Sequence, residues 1–529
     1  MKQAYDTLNN AWKSTCKVLF GEEIGELKEY EEWLKEYMPI IGRRKSCISG
    51  KEVIFAVDKY HGTKNFVSLD EINENKEKSI DPLTINEIKD IDSIITALSE
   101  KWEYCGNKIL GNSIAVEQSD TVKDSQYILE SAAIEKSVYI YSSFQCTNCK
   151  YVFGGIRVAD GEFIIGGLRG FGKRSFNYYW SQDNSDQYVC SNCQNCNNII
   201  FCFNQINKNY RIGNLQLDKE KYFSLKSKLV SEIRDELKKN KRFPSIFELV
   251  PDEKPNENAI KIIESVPTKK EGDMKLIEDA FKSTFKVIFR KDIEGITPYE
   301  EWFYQTIPKQ KEIVTIIGSK VYSLDPKFYK IYSKVPKKRM LKFEETMMLD
   351  NLHLNETEIT SIKNIITRLS EIAYITDEFF GGKIHNLIQC RCGLNLFHAY
   401  KSNGQRAEYL GLNDFPFDSK YIFGSERVSN SQFCIKCYYI LDCVRCFELD
   451  SCEKCSDSYF CHNCEGLSSA MFCFNVKAKR SAIGNLEMQL DQYKKIRDSL
   501  VEQMANDILG KKELKYNIFN IISRINNST

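Results

Sequence analysis

The sequence has no hydrophobic run long enough to cross a membrane, since nowhere do roughly eighteen apolar residues follow one another. Its opening segment, MKQAYDTLNNAWKSTCKVLF, also has no unbroken apolar stretch of the kind found in export signals. Neither sign of charge is in excess, because 74 Lys and Arg against 73 Asp and Glu leave a formal net charge of +1. We therefore expect a cytoplasmic protein with no membrane partner and no overall field that attracts nucleic acid.

Catalytic motifs are also missing. The five histidines show neither the spacing of a zinc-binding HExxH helix nor that of a known catalytic triad. Carboxylates are plentiful, but a sequence alone does not show which of them meet across a cleft. The sequence identifies no reaction, and we expect a protein that is not an enzyme.

Cysteine, by contrast, is abundant. The 529-residue chain is 42% hydrophobic and 28% charged, as soluble globular proteins of several domains are, and it contains 20 cysteines. Because cytosolic thiols are mostly kept reduced, a disulfide framework is not expected. Buried thiols and metal ligands remain as the two explanations.

The cysteines are densest between Phe433 and Lys477, where they recur at steps of nine residues. One series runs through positions 434, 443, 452 and 461, and the other through 437, 446, 455, 464 and 473. So strict a period indicates one small unit stacked on itself. Nine residues are too few to close a coil, so we expect about eighteen residues per coil of a β-solenoid, with cysteines pointing inward.

Much of the first half of the chain recurs in the second half, at an offset of 268 to 271 residues. AWKSTCKVLF at 11–20 matches AFKSTFKVIF at 280–289, IITALSE at 94–100 matches IITRLSE at 365–371, and FCFN and IGNL each occur twice. We expect an α+β tandem duplication, each copy running helix, β-hairpin, helix, short cysteine-rich β-solenoid and C-terminal helix. The predicted domains are 1–109 and 110–250 for the first copy, a linker at 251–273, and 274–384 and 385–529 for the second.

A metal site is the alternative to packed thiols, because CxxC supplies two zinc ligands from one turn. The candidate ligands are Cys434, Cys437, Cys443, Cys446, Cys452, Cys455, Cys461, Cys464, Cys190 and Cys193. An eighteen-residue coil would pair Cys434/Cys437 with Cys452/Cys455, and Cys443/Cys446 with Cys461/Cys464, on one wall. The first copy has Ile164, Gly167 and Phe176 where the alignment places Cys434, Cys437 and Cys446, which favours buried thiols over zinc.

An iron–sulfur cluster is a further alternative, and it rests on Cys190, Cys193, Cys196 and Cys202. The ferredoxin pattern requires a different spacing followed by Cys-Pro, which this run lacks. Zinc is therefore the more plausible of the two cofactors, if there is one.

One stretch of the first copy mixes basic and aromatic residues. Arg169, Lys173, Arg174, Tyr178 and Trp180 are the residue types that hold phosphates and stack on bases in single-stranded nucleic acid. The competing interpretation is a solenoid wall with its aromatics packed inward. If the chain has a ligand or nucleic-acid patch, this stretch is where we expect it.

The run SDSYFCHNCEGLSSAMFCFN at 456–475, followed by a charged helix containing Tyr493, resembles uncharacterised cysteine-repeat solenoid proteins of archaea, candidate-phylum bacteria and their phages. In those proteins CxxC units repeat at short, nonapeptide-like intervals. The resemblance implies a solenoid and implies no activity. We therefore expect a structural or interaction scaffold that contacts a protein partner or itself, the alternative being a zinc-binding protein that contacts nucleic acid or senses redox state.

Overall fold

The computed structural model describes residues 2–523 apart from 57, 61, 75–80, 145, 147–148, 157, 159–160, 266–274, 307–310, 324–329, 377–420, 424–427, 430–432 and 442–443. The fold mixes helices and strands, as the sequence predicts. Among the described residues, no helix combines the length and apolar character needed to cross a membrane.

The N-terminal half begins with a helix packed on a long parallel sheet. Its helices are α1 (Lys2–Phe20), α2 (Glu31–Leu34), α3 (Leu69–Glu74), α4 (Ile91–Lys101), α5 (Lys219–Asn240) and α6 (Ile246–Leu249). Outside the long sheet lie strands β1 (Gly42–Lys45), β2 (Glu52–Phe55), β3 (Phe66–Ser68) and β4 (Tyr104–Gly106). The sheet itself, which we call stack 1 (residues 109–216), comprises β5 (Ile109–Leu110), β6 (Ile114–Glu117), β7 (Asp120–Lys123), β8 (Gln126–Leu129), β9 (Ala132–Glu135), β10 (Val138–Phe144), β11 (Lys150–Ile156), β12 (Glu162–Gln194), β13 (Asn197–Ile200), β14 (Asn209–Ile212) and β15 (Leu215–Gln216).

The C-terminal half has comparable elements in the same order over its described residues. After α7 (Glu257–Glu264), its helices are α8 (Lys275–Phe289), α9 (Glu300–Tyr304), α10 (Phe343–Met347), α11 (Ile362–Arg368) and α12 (Leu490–Lys511), and its hairpin is β16 (Lys311–Val314) with β17 (Lys320–Ser323). Its parallel sheet, stack 2 (residues 421–487), comprises β18 (Tyr421–Phe423), β19 (Val428–Ser429), β20 (Phe433–Ile435), β21 (Tyr438–Leu441), β22 (Val444–Glu453), β23 (Ser456–His462), β24 (Ser468–Met471), β25 (Arg480–Ile483) and β26 (Leu486–Glu487).

Both stacks repeat every twelve residues, so the predicted eighteen-residue coil is wrong. Val152 pairs in parallel with Ile164, and Cys434 with Cys446, each twelve positions on. Non-glycine residues with positive φ recur at every third position, as at Tyr127, Glu130 and Ala133, and mark the corners. Each coil is therefore a four-sided turn with three residues per side. The nine-residue spacing of cysteine covers three of the four sides.

The side chain that follows each corner points into the coil. In stack 1 these interior positions alternate between serine and a branched apolar residue, as in Ser125, Ile128, Ser131 and Ile134, all of them buried. The amide of Ser137 donates to Oγ of Ser125 at 3.0 Å, and that hydroxyl donates to the Lys123 carbonyl at 2.7 Å. A side of three residues favours small side chains, because interiors pack without large voids. Tyr178 is an interior exception, and it lies where the neighbouring coil has Gly167.

Two walls of stack 1 are covered, and two are open. The covered walls carry apolar residues such as Tyr141, Phe153 and Ile156, and Phe153 packs edge-on against Trp12 of α1 with ring centroids 5.2 Å apart. The open walls, defined as the two outward rows that contain Lys123 and Gln126, carry mostly polar side chains. Their exposed members include Gln126, Lys150, Asn197 and Asn209.

The two halves exchange their capping segments. We call residues 42–106 cap 1 and residues 311–376 cap 2. The Leu83 amide of cap 1 donates to the Gly484 carbonyl of stack 2 at 2.8 Å, and the Leu354 amide of cap 2 donates to the Gly213 carbonyl of stack 1 at 2.9 Å. Two large apolar clusters follow the same rule, one joining cap 2 to stack 1 and the other joining cap 1 to stack 2.

Part of the predicted linker is packed against this arrangement. Residues 257–264 form α7, which begins after Asn256, whose side chain accepts from the Ala259 amide at 2.8 Å. Ala259 and Ile263 are buried with Leu341 and Tyr374 of cap 2. The expectation of an exposed linker is therefore wrong for these residues.

The cap contacts lead to a first prediction. Gly213 and Gly484 both have a φ of 55°, and a Cβ at Gly213 would lie 2.8 Å from Cδ1 of Leu354, while one at Gly484 would overlap Leu83. Gly484→Ala should lower the free energy of unfolding by clearly more than the roughly 1 to 2 kcal/mol that a left-handed non-glycine residue costs. Chemical denaturation gives the value.

Gly50→Ala is the matched control for this experiment. Gly50 also has a positive φ, of 75°, but nothing lies within 4 Å of a Cβ built there. Gly50→Ala should therefore lower the free energy of unfolding only by the cost of a left-handed backbone. Equal losses in Gly50→Ala and Gly484→Ala would contradict a tight contact between cap 1 and stack 2.

Candidate functional site

The described cysteines of stack 2 fill its interior. Cys434, Cys437, Cys446, Cys452, Cys455, Cys461, Cys464 and Cys473 are all buried and form one cluster with the interior Leu, Ala and Val side chains. Cys443 lies outside the described residues. The thiols reach backbone carbonyls, as when Sγ of Cys452 lies 3.4 Å from the Asp450 oxygen and 3.3 Å from the Cys461 oxygen.

The twelve-residue register places different cysteines next to each other than an eighteen-residue coil would. Cys434 is directly beside Cys446, and Ser458 follows, so this side does not hold the predicted Cys434/Cys452 pair. The alignment also assigns Phe176 wrongly to the interior of the coil. Phe176 packs outward against Phe20, and the residue before it, Ser175, is the one that points inward. The argument that Phe176 replaces an interior cysteine is therefore wrong.

Serine takes the same place as cysteine in the coil. The Ser458 hydroxyl donates to the carbonyl two residues earlier at 2.9 Å, as Cys446 Sγ does at 3.4 Å. Burial raises the pKa of Cys461 well above its ordinary value, which disfavours the thiolate that a metal needs. Within the described part of the chain, no three Cys, His, Asp or Glu side chains are grouped so that they could hold a metal ion.

The cysteines proposed for an iron–sulfur cluster lie on different sides of stack 1. Cys190 and Cys202 are twelve residues apart on one side, and Cys193 and Cys196 occupy the next two sides. Burial raises the pKa of Cys190, whereas for Cys202 the bond with Cys190 and nearby backbone amides overcome burial and lower the pKa. Like the thiols of stack 2, those of Cys190 and Cys193 lie close to backbone carbonyls.

The basic and aromatic stretch does not form a stacking platform. Tyr178 is buried inside the coil with its hydroxyl 3.3 Å from the Gly170 carbonyl, so no base can stack on it. Arg174 makes two bonds to Asp186, at 3.0 and 2.6 Å, while Lys173 is exposed and Trp180 is half-buried. The side chain of Arg169 lies outside the described residues. The inward-packing interpretation is therefore correct for Tyr178.

A group of buried polar side chains lies where cap 1 meets stack 2. Asp450 and His462 are neighbours on adjacent coils, with Nδ1 of His462 2.8 Å from Oδ2 of Asp450. The Tyr60 hydroxyl donates to the same carboxylate oxygen, and the Cys105 amide donates to Nε2 of His462 at 2.8 Å. We call Tyr60, Cys105, Asp450 and His462 the polar junction.

The bonds fix the charge states in the polar junction. Because Nε2 of His462 accepts a bond, the ring proton lies on Nδ1 and faces Asp450. Burial lowers the pKa of His462, and Asp450 opposes this only in part. Burial alone would raise the pKa of Asp450, but the bond from His462, the charge of Lys108 and the bond from Tyr60 lower it. A neutral histidine therefore faces an ionised carboxylate.

A buried ion pair adjoins this group. Nζ of Lys108 lies 3.2 Å from Oδ2 of Asp120 and 3.1 Å from the Cys105 carbonyl. Asp120 also accepts from the Ala56 amide at 2.8 Å and from the Lys108 amide at 2.9 Å. Burial would lower the pKa of Lys108, but the charges of Asp120 and Asp450 outweigh it and raise the pKa.

The polar junction resembles the aspartate–histidine pair of a hydrolase in its bonds but not in its surroundings. A catalytic base needs a free nitrogen within reach of a proton it can remove. Here a backbone amide occupies that nitrogen, and both side chains are 0% exposed. The arrangement can orient and join two segments, and it leaves no room for a substrate.

Sequence reasoning missed this group because it depends on the coil length. Asp450 and His462 are twelve residues apart, so they become neighbours only once the repeat is twelve. On the nine-residue pattern His462 simply lies between Cys461 and Cys464. The every-third-residue spacing of interior Ser and branched residues in 119–140 indicates sides of three residues, although it does not fix the number of sides in a coil.

The thiol geometry gives a second prediction. Cys446→Ser should lower the free energy of unfolding by about 1 kcal/mol or less, because the hydroxyl can make the carbonyl bond that Ser458 makes next to it. Prolonged treatment with a chelator should leave the denaturation midpoint unchanged. Structural zinc would instead make the chelator unfold stack 2, since metal binding and folding are coupled.

The polar junction gives a third prediction, on pH. The folded-state pKa of His462 is depressed, so below about pH 6.5 the unfolded chain takes up a proton that the folded chain does not. The free energy of unfolding should therefore fall as the pH drops from 7 towards 5, by up to about 1.4 kcal/mol per unit for this group. The depressed pKa of Asp450 acts in the same direction at lower pH.

Denaturation curves across this range measure the slope. The groups that face or influence His462 are Asp450, Tyr60, Tyr104, Cys105, Lys108 and Asp120. His462→Gln should flatten the slope, and the same change at His353, which lies outside the polar junction, is the matched control. An unchanged slope in His462→Gln would show that the acid sensitivity arises elsewhere.

Comparison with known proteins assigns neither a family nor a function to the chain. No family model matches the sequence, no curated protein is significantly similar to it, and no solved structure matches it. The resemblance to cysteine-repeat proteins therefore stays a prediction. The geometry of the described residues is what bears on function.

Proposed function

We propose that the chain is a tandem duplication in which each half carries a β-solenoid between its cap and its terminal helix. Matched hydrogen bonds support this proposal. The Tyr188 hydroxyl donates to the Leu19 carbonyl at 2.7 Å, and the Tyr459 hydroxyl donates to the Ile288 carbonyl at 2.8 Å. The ion pair of Arg174 with Asp186 has its counterpart 271 residues on, in Arg445 and Asp457.

We propose further that the protein is a non-enzymatic interaction scaffold. The observation that carries this is the division of the coil into covered and open walls. The interior thiols and the polar junction are engaged with the chain itself, whereas the open walls hold polar side chains in straight rows. Rows on neighbouring parallel strands repeat at about 4.8 Å, which suits contact with an extended partner surface.

A ladder of aromatic rings marks the most distinctive part of this surface. Tyr127, Tyr139, Tyr151 and Phe163 occupy one corner on successive coils, with ring centroids 5.1, 5.0 and 5.2 Å apart and rings within 7° of parallel. All four are half-buried. Half-buried tyrosines are frequent anchors of protein interfaces, so we propose a protein partner at this corner.

The described corners of the C-terminal half on the same column carry Arg445, Asp457, Ser469 and Ser481, and Arg445 bonds to Asp457 at 2.7 Å. These residues match the part of stack 1 that follows the ladder, where Arg174 and Asp186 form the same ion pair. This corner, which is matched in its position on the coil but carries no ring at these four residues, supplies the control.

The fourth prediction locates the partner. Cross-linking in the native host, followed by mass spectrometry, should place partner cross-links on exposed lysines beside the ladder and the open walls, such as Lys136 and Lys150. Exposed lysines of α5, such as Lys228 and Lys239, should carry few. Tyr139→Ser with Tyr151→Ser should weaken the complex by roughly 2 kcal/mol or more if these rings are anchors.

Arg445→Ser with Asp457→Ser at the matched corner is the control and should leave binding unchanged. Cross-links concentrated on α5, or equal weakening by both pairs of substitutions, would contradict a binding face at the ladder. Full binding by the tyrosine variant would do the same.

A further inference from the structure

The two cap contacts are alike in most respects. Asn475 donates to the Glu103 carbonyl of cap 1 at 3.0 Å, and Asn204 donates to the Tyr374 carbonyl of cap 2 at 3.1 Å. The contacting residues are 271 positions apart in each comparison. By these contacts alone, either cap would fit either stack.

The contacts differ at the polar junction. The positions of stack 1 that match Asp450 and His462 are Tyr179 and Ser191. Tyr179 packs on the ring of Phe247 at 4.7 Å, within an apolar cluster that includes Ile375 of cap 2. The Ser191 hydroxyl is buried without a hydrogen-bond partner among the described residues. One junction is therefore charged and bonded, and the other is apolar.

The difference decides which cap each stack accepts. Cap 2 on stack 2 would set apolar side chains such as Ile375 against Asp450, leaving a buried carboxylate without its Tyr60 donor. Cap 1 on stack 1 would bring the Tyr60 hydroxyl to Tyr179 and remove the acceptor at His462. Stranding a buried charge costs far more than an exposed pair gains, so cap 2 on stack 2 is disfavoured. Cap 1 on stack 1 is disfavoured for a different reason, because the Cys105 amide would lose the acceptor that it has in His462.

We propose that the polar junction is a recognition site on stack 2 that accepts cap 1 and rejects cap 2. Its partner is the N-terminal half of the same chain. Without the polar junction, two copies of this chain could associate by pairing a cap of one copy with a stack of the other. Segments that are exchanged between similar units can also pair between molecules. This inference rests on the proposed duplication and does not depend on the proposed scaffold function.

Refolding of the full chain tests the proposal. Asp450→Tyr with His462→Ser gives stack 2 the residues of stack 1, so that cap 2 becomes an acceptable partner. After dilution from denaturant, the unsubstituted chain should elute at the monomer mass by size exclusion with light scattering. The double variant should shift towards dimers and larger species as the refolding concentration rises.

Leu83→Ala tests whether oligomers form merely because the contact between cap 1 and stack 2 is weaker. It weakens the contact of the same cap with Gly484 but leaves the polar junction intact, so it should refold as a monomer. Oligomers of Leu83→Ala equal to those of the double variant would overturn the proposal. So would a double variant that refolds entirely to monomer.

Tyr60→Phe covers the case in which the double variant does not fold. It removes one donor to a charged acceptor, so amide exchange at Cys105 should accelerate about tenfold or more, since such bonds are worth roughly 1.5 to 3 kcal/mol. Exchange in residues 369–376 of cap 2 should not change, and oligomers should appear on refolding. Equal acceleration in both caps, or no oligomers, would overturn the proposal.

Discussion

The corner at every third residue is the constraint on which the rest of the structure depends. A left-handed conformation costs a non-glycine residue about 1 to 2 kcal/mol, and both stacks adopt it at many positions in succession. Parallel ladders, in which each coil bonds to the next, offset this cost. Once the corners are set, each side holds three residues, and most interior positions hold small side chains, with Tyr178 as an exception opposite glycine. Serine, cysteine, valine and isoleucine follow from that geometry.

The same constraint explains why cysteine is abundant inside the described coils. An interior group needs to be small and to satisfy nearby backbone carbonyls, and both hydroxyl and thiol do this, as Ser458 and Cys446 show side by side. Thiol adds apolar character, because free cysteine behaves as a small hydrophobe. Stack 1 uses serine with isoleucine where stack 2 uses cysteine with leucine, so the two interiors are different solutions to one space.

Much of the fold could be predicted from the sequence, because helices and hairpins depend on local patterns. The mixed α+β class and the order of elements around α1 and α8 followed from periodicity and internal matches. The coil length could not be predicted, since a nine-residue spacing fits any repeat of three-residue sides. That error hid the neighbours Asp450 and His462. Phe176 was displaced by one position for another reason, because the corners at Phe163 and Arg174 are eleven residues apart whereas Cys434 and Cys446 are twelve apart. The exchange of caps depends on contacts between distant segments, which no local pattern specifies.

A second pair of matched positions also differs between the two halves. Lys436 and Glu448 are fully buried with Nζ and Oε1 3.3 Å apart, and Nζ lies 4.7 Å from the ring centroid of Trp302. The alignment places Gly166 and Asn177 there in the first half, and Tyr37 fills the space beside them, its hydroxyl 3.4 Å from Oδ1 of Asn177.

Burial lowers the pKa of Lys436 and raises that of Glu448, so neither charge is tolerated there without the other. Removing one alone would strand a buried charge at a cost of about 3 to 5 kcal/mol. Such residues can change only as a set, as those of the polar junction can. Differences of this kind make two similar halves non-interchangeable, because each buried pair requires its own neighbours.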